Sequence, residues 1–353
     1  MESVCIKDFT LPELERWVEG AGERSFRARQ LFRNIYVRNV SGWDECTDLG
    51  KSFRSLLESD ARLHAIETAG REEAPDGARK YLFRLHDGHC IESVLIPDPP
   101  RTTLCISSQV GCAMGCSFCL TGQMGLTRNL SAAEIVDQIC RVQRDLGTHA
   151  RITNIVFMGM GELLANCGAV LRAVGIMTDP NGMAFSHRRV TVSTVGIPLE
   201  LGRLGADSPV NLAISLHAPD NELRSRLMPI NRRYPLEELI EACRRYPLAP
   251  RKRITFEYVL LDDVNDSPKH ARSLVRLLDG VRAKINLIPF NPHPGSEFAT
   301  PSRERIEAFQ EVLLKARFAA IVRQSRGSEI GAACGQLAAR RGDHVNNADL
   351  KES

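Results

Sequence analysis

Three cysteines, Cys112, Cys116 and Cys119, lie in one short glycine-containing loop with the spacing C-x3-C-x2-C. Three thiolates on one loop can converge on a single metal centre. A closed structural zinc site needs four ligands, and no other cysteine or histidine lies nearby at the usual paired spacing. An iron-sulfur cubane held by three cysteines keeps one iron with an open coordination position. The spacing therefore favours a cluster whose open iron binds a substrate.

A second chemical signal is the sequence Met158-Gly159-Met160-Gly161-Glu162, which follows a strand-like run. Its glycines let the backbone approach a ligand, and the carboxylate of Glu162 can accept hydrogen bonds from an ammonium or a ribose. Polar groups end three further strand-like runs, at Ser193, at Ser215-Leu216-His217 and at Asn291. Ligand sites of βα folds gather at the carboxyl ends of the strands, so we expect these residues to line one rim.

Alternating βα units must position these residues. Between about residues 102 and 325, short β-branched runs alternate with helical periodicity, which predicts a parallel sheet, either doubly wound or curled into a full or partial barrel. The predicted strands are 104–107, 152–158, 190–193, 212–216, 254–259, 285–288 and 320–323. The predicted helices between them include 132–146, 268–278 and 303–316.

Two smaller units precede this core. Apolar residues at helical spacing predict a helical module over residues 1–80, in which several arginines make an RNA-facing surface or merely a solvated face. Two strand-like runs around an Asp-Gly turn signal predict a β-hairpin and linker over 81–101. The core then runs over 102–337, and a polar tail occupies 338–353.

Composition sets the class of protein. The chain has 353 residues, 43% hydrophobic and 25% charged, with a net charge of +3, which is ordinary for a globular protein of about two domains. No apolar stretch approaches the length of a membrane span, and no secretory signal is visible, so we expect a cytoplasmic protein without membrane contact. Eleven cysteines in such a chain indicate metal or redox chemistry rather than a disulfide scaffold.

The cysteine spacing resembles the ligand motif of the radical S-adenosylmethionine (SAM) superfamily, and further motifs narrow the resemblance to the RlmN/Cfr family of RNA adenine methyltransferases. These motifs are RTTLCISSQVGC at 101–112, RNL at 128–130, GMGE at 159–162, ISLHAP at 214–219, NLIPFN at 286–291 and AACGQL at 332–337. The implied fold is α/β, a partial (βα)6-type radical SAM barrel with an N-terminal helical accessory domain and a connecting β-hairpin.

The resemblance also implies the cofactors and the residues that hold them. Cys112, Cys116 and Cys119 would ligate a [4Fe-4S] cluster, and Phe118 would pack against it. Two molecules of S-adenosylmethionine would be used in each turnover. The residues implied to bind this cofactor are Gly161, Glu162, Ser193, Ser215, Leu216, His217 and Asn291.

Two further cysteines gain roles from the resemblance. Cys334 would receive a methyl group, and after hydrogen abstraction its thiomethylene radical would add to an adenine carbon that ordinary SN2 methylation cannot reach. Cys105 would then attack the Cys334 sulfur and leave a transient Cys105-Cys334 disulfide. Glu92 resembles a family position assigned as proton acceptor, and a Cys105 thiolate is its rival for the ring proton.

The implied reaction is methylation of adenine at C2. The implied substrates are 23S rRNA, at the peptidyl-transferase-centre adenine, and tRNA, at an adenine of the anticodon loop. Reaching either base requires extrusion from folded RNA. An external electron donor and a disulfide reductant would be needed, and we expect a monomer. Residues 120–125 lack the Ser/Ala-rich loop of many RlmN members, and Thr121-Gly122 within them resembles Cfr, which methylates C8. Leu163 stands where RlmN members have proline. Residues 323–327 and the region around Cys334 are more RlmN-like, so C2 is favoured.

Two other functions are weighed against this one. The first is a non-catalytic RNA-binding protein in which the three cysteines hold structural zinc. The second is a radical enzyme acting on a small molecule or a peptide, in which Cys105 and Cys334 would have no paired roles.

Overall fold

The structure is a computed structural model, and it describes residues 3–339. The chain opens with a helical region, which ends near residue 62. Its elements are β1 (Val4–Cys5), α1 (Leu11–Gly20), α2 (Phe26–Arg33) with a π-helical turn at Asn34–Arg38, α3 (Lys51–Asp60) and β2 (Ala61–Arg62). Thr10 and Glu13 form a capping box at the start of α1, and β1 pairs with β2 in parallel.

Three antiparallel strands follow: β3 (Ile66–Glu73), β4 (Arg79–Leu85) and β5 (Cys90–Asp98). β4 and β5 are the predicted hairpin, closed at its Asp-Gly turn. The prediction of a helical module extending to residue 80 is wrong beyond Asp60, because β3 lies inside that range. β3 is largely polar and exposed, and pairing with β4 orders it, so its sequence carries no alternating apolar signal.

The remaining elements form six βα units and a last strand. Two short strands and one short helix surround the cysteine loop: β7 (Gln109–Cys112), α4 (Leu120–Gln123) and β8 (Gly125–Asn129). The six core strands are β6 (Arg101–Cys105), β9 (Asn154–Phe157), β10 (Val190–Thr194), β11 (Asn211–Ser215), β12 (Ile254–Leu260) and β13 (Ala283–Pro289). Their helices are α5 (Ala132–Leu146), α6 (Cys167–Thr178), α7 (Pro198–Asp207), α8 (Asn221–Leu227), α9 (Leu236–Arg245), α10 (Pro268–Leu277) and α11 (Arg303–Lys315), before β14 (Ala319–Val322).

Ten of the strands belong to one sheet, in the order β14-β13-β12-β11-β10-β9-β6-β5-β4-β3. From β6 to β14 every pairing is parallel, and the spatial order follows the chain without reversal. A doubly wound sheet would reverse its order at a switch point, so the fold is the partial (βα)6 barrel, and the antiparallel strands extend it at one edge.

The helical region and the barrel share one hydrophobic core, which runs from Leu14 and Phe32 through Ile135 to Phe309. A buried ion pair between Lys7 and Asp137 of α5 joins the two parts, and Asp137 also accepts the backbone N–H groups of Ala65 and Ile66.

The ends of the chain fall partly outside the described residues. The predicted polar tail, 338–353, lies outside the described residues from residue 340 onward. Over residues 3–339, we find no helix with both the length and the apolar character needed to cross a membrane.

Candidate functional site

The cysteine loop is held between the paired strands β7 and β8. Gly111 has φ +75°, and a Cβ there would lie 1.9 Å from the carbonyl oxygen of Gly125, so only glycine fits. The Cys119 N–H donates to the Cys116 carbonyl at 3.1 Å, and the Ser117 N–H donates to the Leu227 carbonyl at 3.0 Å. These bonds fix the turn that carries the three cysteines.

The three thiols line one cavity of about 160 Å³, which we call the cysteine-loop cavity. Burial raises the pKa of all three thiols, Cys112, Cys116 and Cys119. The pKa of Cys112 rises to about 11, and that of Cys116 lies well above its ordinary value. Metal binding must therefore displace thiol protons. Within residues 3–339 no cluster of His, Cys, Asp and Glu converges closely enough to hold a single metal ion. Soft ligands spread around one cavity suit an iron-sulfur cluster better than a zinc ion.

The glycine-rich strand end meets the same cavity. Gly161 has φ +104°, and a Cβ there would lie 2.8 Å from the backbone nitrogen of Gln109. The buried carboxylate of Glu162 accepts hydrogen bonds from the Thr194 hydroxyl at 2.5 Å and the Val195 N–H at 2.9 Å. Burial raises the pKa of Glu162, whereas these donors oppose that shift. Glu162 thus joins the carboxyl ends of two strands beside the thiols.

His217 closes another wall. Its Nδ1 accepts the Val259 N–H at 3.0 Å, and its ring meets Phe118 edge-on at 4.9 Å between centroids. Burial, reinforced by the Arg224 guanidinium, lowers the pKa of His217 to about 3. His217 is therefore neutral, with its proton on Nε2.

Six of the seven predicted cofactor-binding residues line this cavity together with the three cysteines. They are Gly161, Glu162, Ser193, Ser215, His217 and Asn291. Leu216 does not, because its side chain lies in the hydrophobic core. Its backbone instead donates its N–H to the Glu257 carbonyl and accepts from Arg224.

Arg224 is a buried residue that the sequence did not single out. Its guanidinium donates to the carbonyls of Val195, Ser215 and Leu216 and to the Asn231 side chain. No carboxylate among the described residues forms an ion pair with it, and burial lowers its pKa to about 10, whereas Cys116 opposes that shift. The positive charge of Arg224 lies behind the cysteine loop, where the thiolates of a bound iron-sulfur cluster would compensate it.

A second cavity of about 520 Å³ is lined by Cys105 and Cys334, and we call it the two-thiol chamber. Burial, and secondarily the Cys334 sulfur, raises the pKa of Cys105 to about 12, while Arg323 opposes that shift. Cys334 is in turn the main reason that the pKa of the Arg323 guanidinium is raised. Both thiols and the half-buried Arg323 guanidinium therefore share this chamber.

Four residues line both cavities, namely Met158, Glu257, Ile288 and Cys334. Cys334 thus faces the cysteine loop on one side and Cys105 on the other.

Sequence reasoning missed Glu257, although a single carboxylate in the otherwise uncharged strand Ile254–Leu260 was a visible signal. It also gave Arg323 no role.

The predicted proton acceptor, Glu92, lines neither cavity. Its buried Oε2 accepts the backbone N–H groups of Ala338 at 2.9 Å and Ala339 at 3.1 Å. Lys80 lies 3.7 Å from Oε1 and also donates to the Ile330 carbonyl at 2.5 Å. These contacts tie down the segment that carries Cys334, so the geometry favours a positioning role for Glu92 over proton transfer.

Three further hydrogen bonds hold the Cys334 segment. The Leu120 N–H donates to the Gly335 carbonyl at 2.8 Å, and the Thr121 hydroxyl donates to the Leu337 carbonyl at 2.6 Å. Gln336 donates to the Pro292 carbonyl at 2.9 Å. Two of these bonds begin on α4, which directly follows Cys119, so the cysteine loop and Cys334 are positioned as one unit.

Comparison with known proteins covers nearly the whole chain. Residues 4–63 match a ribosomal RNA large subunit methyltransferase N-terminal domain, and residues 106–275 match the radical SAM superfamily. The dual-specificity RNA methyltransferase RlmN of Syntrophobacter fumaroxidans is 67% identical over 97% of this chain and 100% of that protein. The corresponding protein of Geobacter sulfurreducens is 54% identical over 95% of this chain and 92% of its own length.

One solved structure is similar over the same extent. A radical SAM methyltransferase from Sphaerobacter thermophilus superposes with a TM-score of 0.92 at 47% identity, covering 96% of this chain and all of that one.

Proposed function

The chain belongs to the RlmN family of radical SAM RNA methyltransferases, and from that premise we propose that it methylates C2 of adenine in 23S rRNA and in a tRNA anticodon loop. It is a SAM-dependent enzyme with a [4Fe-4S] cluster. The observation that carries the finer proposal is the position of Cys334, which lines both the cysteine-loop cavity and the two-thiol chamber. A thiol at that junction can meet the cofactor on one side and an RNA base on the other.

The residues around the cysteine-loop cavity suit the two cofactors. Cys112, Cys116 and Cys119 would hold the cluster, because they supply three soft ligands and leave one iron open. Gly161, Ser193, Ser215, His217 and Asn291 would bind S-adenosylmethionine, while Glu162 holds the rim together. When bound, the two cofactors supply a methyl group from one SAM molecule and a 5'-deoxyadenosyl radical from a second. The remaining chemistry falls to the side chains of the two-thiol chamber.

Cys334 would carry the methyl group, and after that group loses a hydrogen atom its methylene carbon would bond to the adenine carbon. The adduct would then give up the ring proton and one electron, which the cluster would accept, before the bond from Cys334 sulfur to the methylene carbon breaks and that carbon takes up a proton. Cys105 lines the same chamber and would attack the Cys334 sulfur, forming a disulfide as the methylated base leaves. An outside reductant would then restore both thiols. Glu92 would keep the Cys334 segment in place, and Cys105 is the better placed acceptor for the ring proton.

The dimensions and charge of the two-thiol chamber support an RNA base as substrate. Its volume of about 520 Å³ accommodates a nucleotide. Among its lining residues, Arg101 and Lys284 are exposed and Arg326 is half-buried, and these cations can contact phosphates. The family's N-terminal domain and the dual specificity in the names of its relatives favour two RNA classes. We further propose a cytoplasmic monomer served by an external electron donor.

The test is mass spectrometry of nucleosides after reaction. Anaerobically reconstituted protein would be incubated with S-adenosylmethionine, dithionite and unmodified 23S rRNA or tRNA. We expect 2-methyladenosine from both RNAs. A product of 8-methyladenosine would instead assign the chain the regiochemistry of Cfr, which Thr121-Gly122 resembles. An absence of methylated adenine from either RNA would overturn the proposal.

A further inference from the structure

The buried carboxylate of Glu257 stands at the junction between the two cavities. It is the only charged residue of β12, whose seven residues are all buried. Asn286 lies opposite Glu257 on the neighbouring strand β13, and its Nδ2 donates to Glu257 Oε1 at 3.0 Å. A carboxylate rarely sits in such a strand without a task, because desolvating a charge is costly.

Only half of this carboxylate is satisfied. Oε2 of Glu257 is buried and has no hydrogen-bond partner among residues 3–339. Burial raises the pKa of Glu257, and the Arg323 guanidinium opposes that shift. A buried carboxylate oxygen that the protein leaves without a donor, in a cavity wall, is available to a donor group of a ligand.

The neighbours of Glu257 direct it towards the two-thiol chamber. Asn286, Lys284 and Arg323, the groups that hydrogen-bond it or act on its charge, all line that chamber, and none of them lines the cysteine-loop cavity. Cys334 lines the chamber beside it. A base brought to Cys334 for methylation would therefore present an edge to Glu257.

Adenine carries one set of strong donors on its base edges, the exocyclic amino group, and its ring nitrogens only accept. We propose that Oε2 of Glu257 accepts a hydrogen bond from the exocyclic amino group of the extruded adenine, which makes Glu257 a specificity-determining residue. The inference rests on the proposed function, because it assumes that an RNA adenine enters the two-thiol chamber.

A double-mutant cycle tests the contact. One partner is changed by Glu257→Ala, and the other by replacing the target adenosine of a tRNA anticodon stem-loop with purine riboside, which lacks only the amino group. For the adenosine substrate we expect kcat/KM to fall about 10- to 100-fold in Glu257→Ala. Wild type should lose a similar factor on purine riboside, and Glu257→Ala should lose little more on that substrate.

The cycle cancels the change in ring reactivity that removal of the amino group causes, because that change is the same in both proteins. Equal losses by Glu257→Ala on the two substrates would overturn the contact. Glu257→Gln is a second variant that keeps the side-chain shape and an acceptor oxygen, and we expect it to retain most of the wild-type preference for adenosine.

RNA-free methylation of Cys334, measured as the mass of the protein after incubation with S-adenosylmethionine, separates the other outcomes. A loss in Glu257→Ala confined to the RNA reaction supports the proposal. A matching loss of Cys334 methylation would assign the carboxylate to the cofactor and overturn it. If the wild type methylates neither Cys334 nor any RNA, the proposed function fails first, and this inference fails with it. Glu307→Gln, on the exposed face of α11, is the control for removal of a carboxylate.

Discussion

Cys334 lines both cavities, whereas Cys105 lines only the two-thiol chamber, and this asymmetry separates their roles. We expect Cys105→Ala to accumulate a covalent RNA-protein adduct, because the methylene bridge to Cys334 forms but no thiol remains to attack its sulfur. Cys334→Ala should form no adduct. Denaturing gels of reactions with labelled tRNA report both outcomes. Cys140→Ala, which removes another buried free thiol, is the control, and an adduct absent from all three variants would contradict the two-cysteine mechanism.

Glu92 contacts the backbone of the Cys334 segment, so its loss should loosen that segment rather than stop one chemical step. We expect Glu92→Ala to slow RNA-free methylation of Cys334 and methylation of RNA together, by roughly tenfold, since two charge-assisted hydrogen bonds are removed. Glu92→Gln, whose amide oxygen still accepts, should lose less. Protein mass and product nucleosides give the two rates. Normal methylation of Cys334 with accumulation of the adduct would instead identify Glu92 as the proton acceptor.

At this scale the sequence could supply the residues whose task is encoded in a motif. The cysteine spacing, the GMGE and SLH runs and the strand ends at Ser193 and Asn291 indicated nine residues that line one cavity. Glu257 and Arg323 could not be found in that way, because their importance arises from burial and from neighbours on other strands. Leu216 lay inside a motif, but the pleat of the sheet turns its side chain into the core.

Among the elements, the core strands and the long helices were predictable because periodicity and β-branched runs report burial directly. The predicted helix 132–146 coincides with α5, and 303–316 differs from α11 by one residue. The strands β7 and β8 were missed because they are short, and β8 is mostly exposed. Their pairing depends on the glycines around the cysteine loop, which local propensity does not reveal.

The turn after β9 depends on one glycine. Gly161 has φ +104°, and a Cβ there would overlap the backbone and side chain of Gln109. We expect Gly161→Ala to lower the free energy of unfolding by about 3 kcal/mol and to weaken SAM binding, because strain and overlap combine. Urea unfolding and equilibrium dialysis measure the two effects. Gly168→Ala is the matched control, since an exposed helical site with open space should be neutral or gain up to about 1 kcal/mol.

At the scale of the whole molecule, the helical region and the barrel share one continuous hydrophobic core, so we expect them to unfold together. The contact between these two parts, which we call the joint, contains a buried ion pair between Lys7, near the start of the helical region, and Asp137 of α5. Although burial raises the pKa of Asp137, Lys7 and Arg141 more than offset this effect and hold it below its ordinary value. The attachment of the helical region is therefore electrostatic as well as apolar.

Lys7→Met removes the cation and leaves the buried Asp137 with the Arg141 guanidinium at 3.7 Å and the backbone N–H groups of Ala65 and Ile66. We expect a loss of about 3–5 kcal/mol at pH 7, measured by urea unfolding, because a buried charge without its main counter-ion is expensive. Arg29→Met, which breaks an exposed pair with Glu15, should cost less than about 1 kcal/mol. Equal losses in the two variants would mean that the buried pair contributes no more than a surface pair.

The same pair predicts how stability depends on pH. Because the folded pKa of Asp137 lies below its unfolded value of about 3.9, its stabilising contribution is present above that value and is lost as the pH falls through the folded pKa. In Lys7→Met the largest effect that opposes burial is gone, so we expect the folded pKa of Asp137 to rise above its unfolded value. At acid pH Asp137 then takes up a proton on folding, and its charge is no longer buried. The difference in stability between wild type and Lys7→Met should therefore shrink between pH 7 and pH 4, as urea unfolding across that range would measure. A difference that stays constant would show that Lys7 stabilises the joint by packing alone.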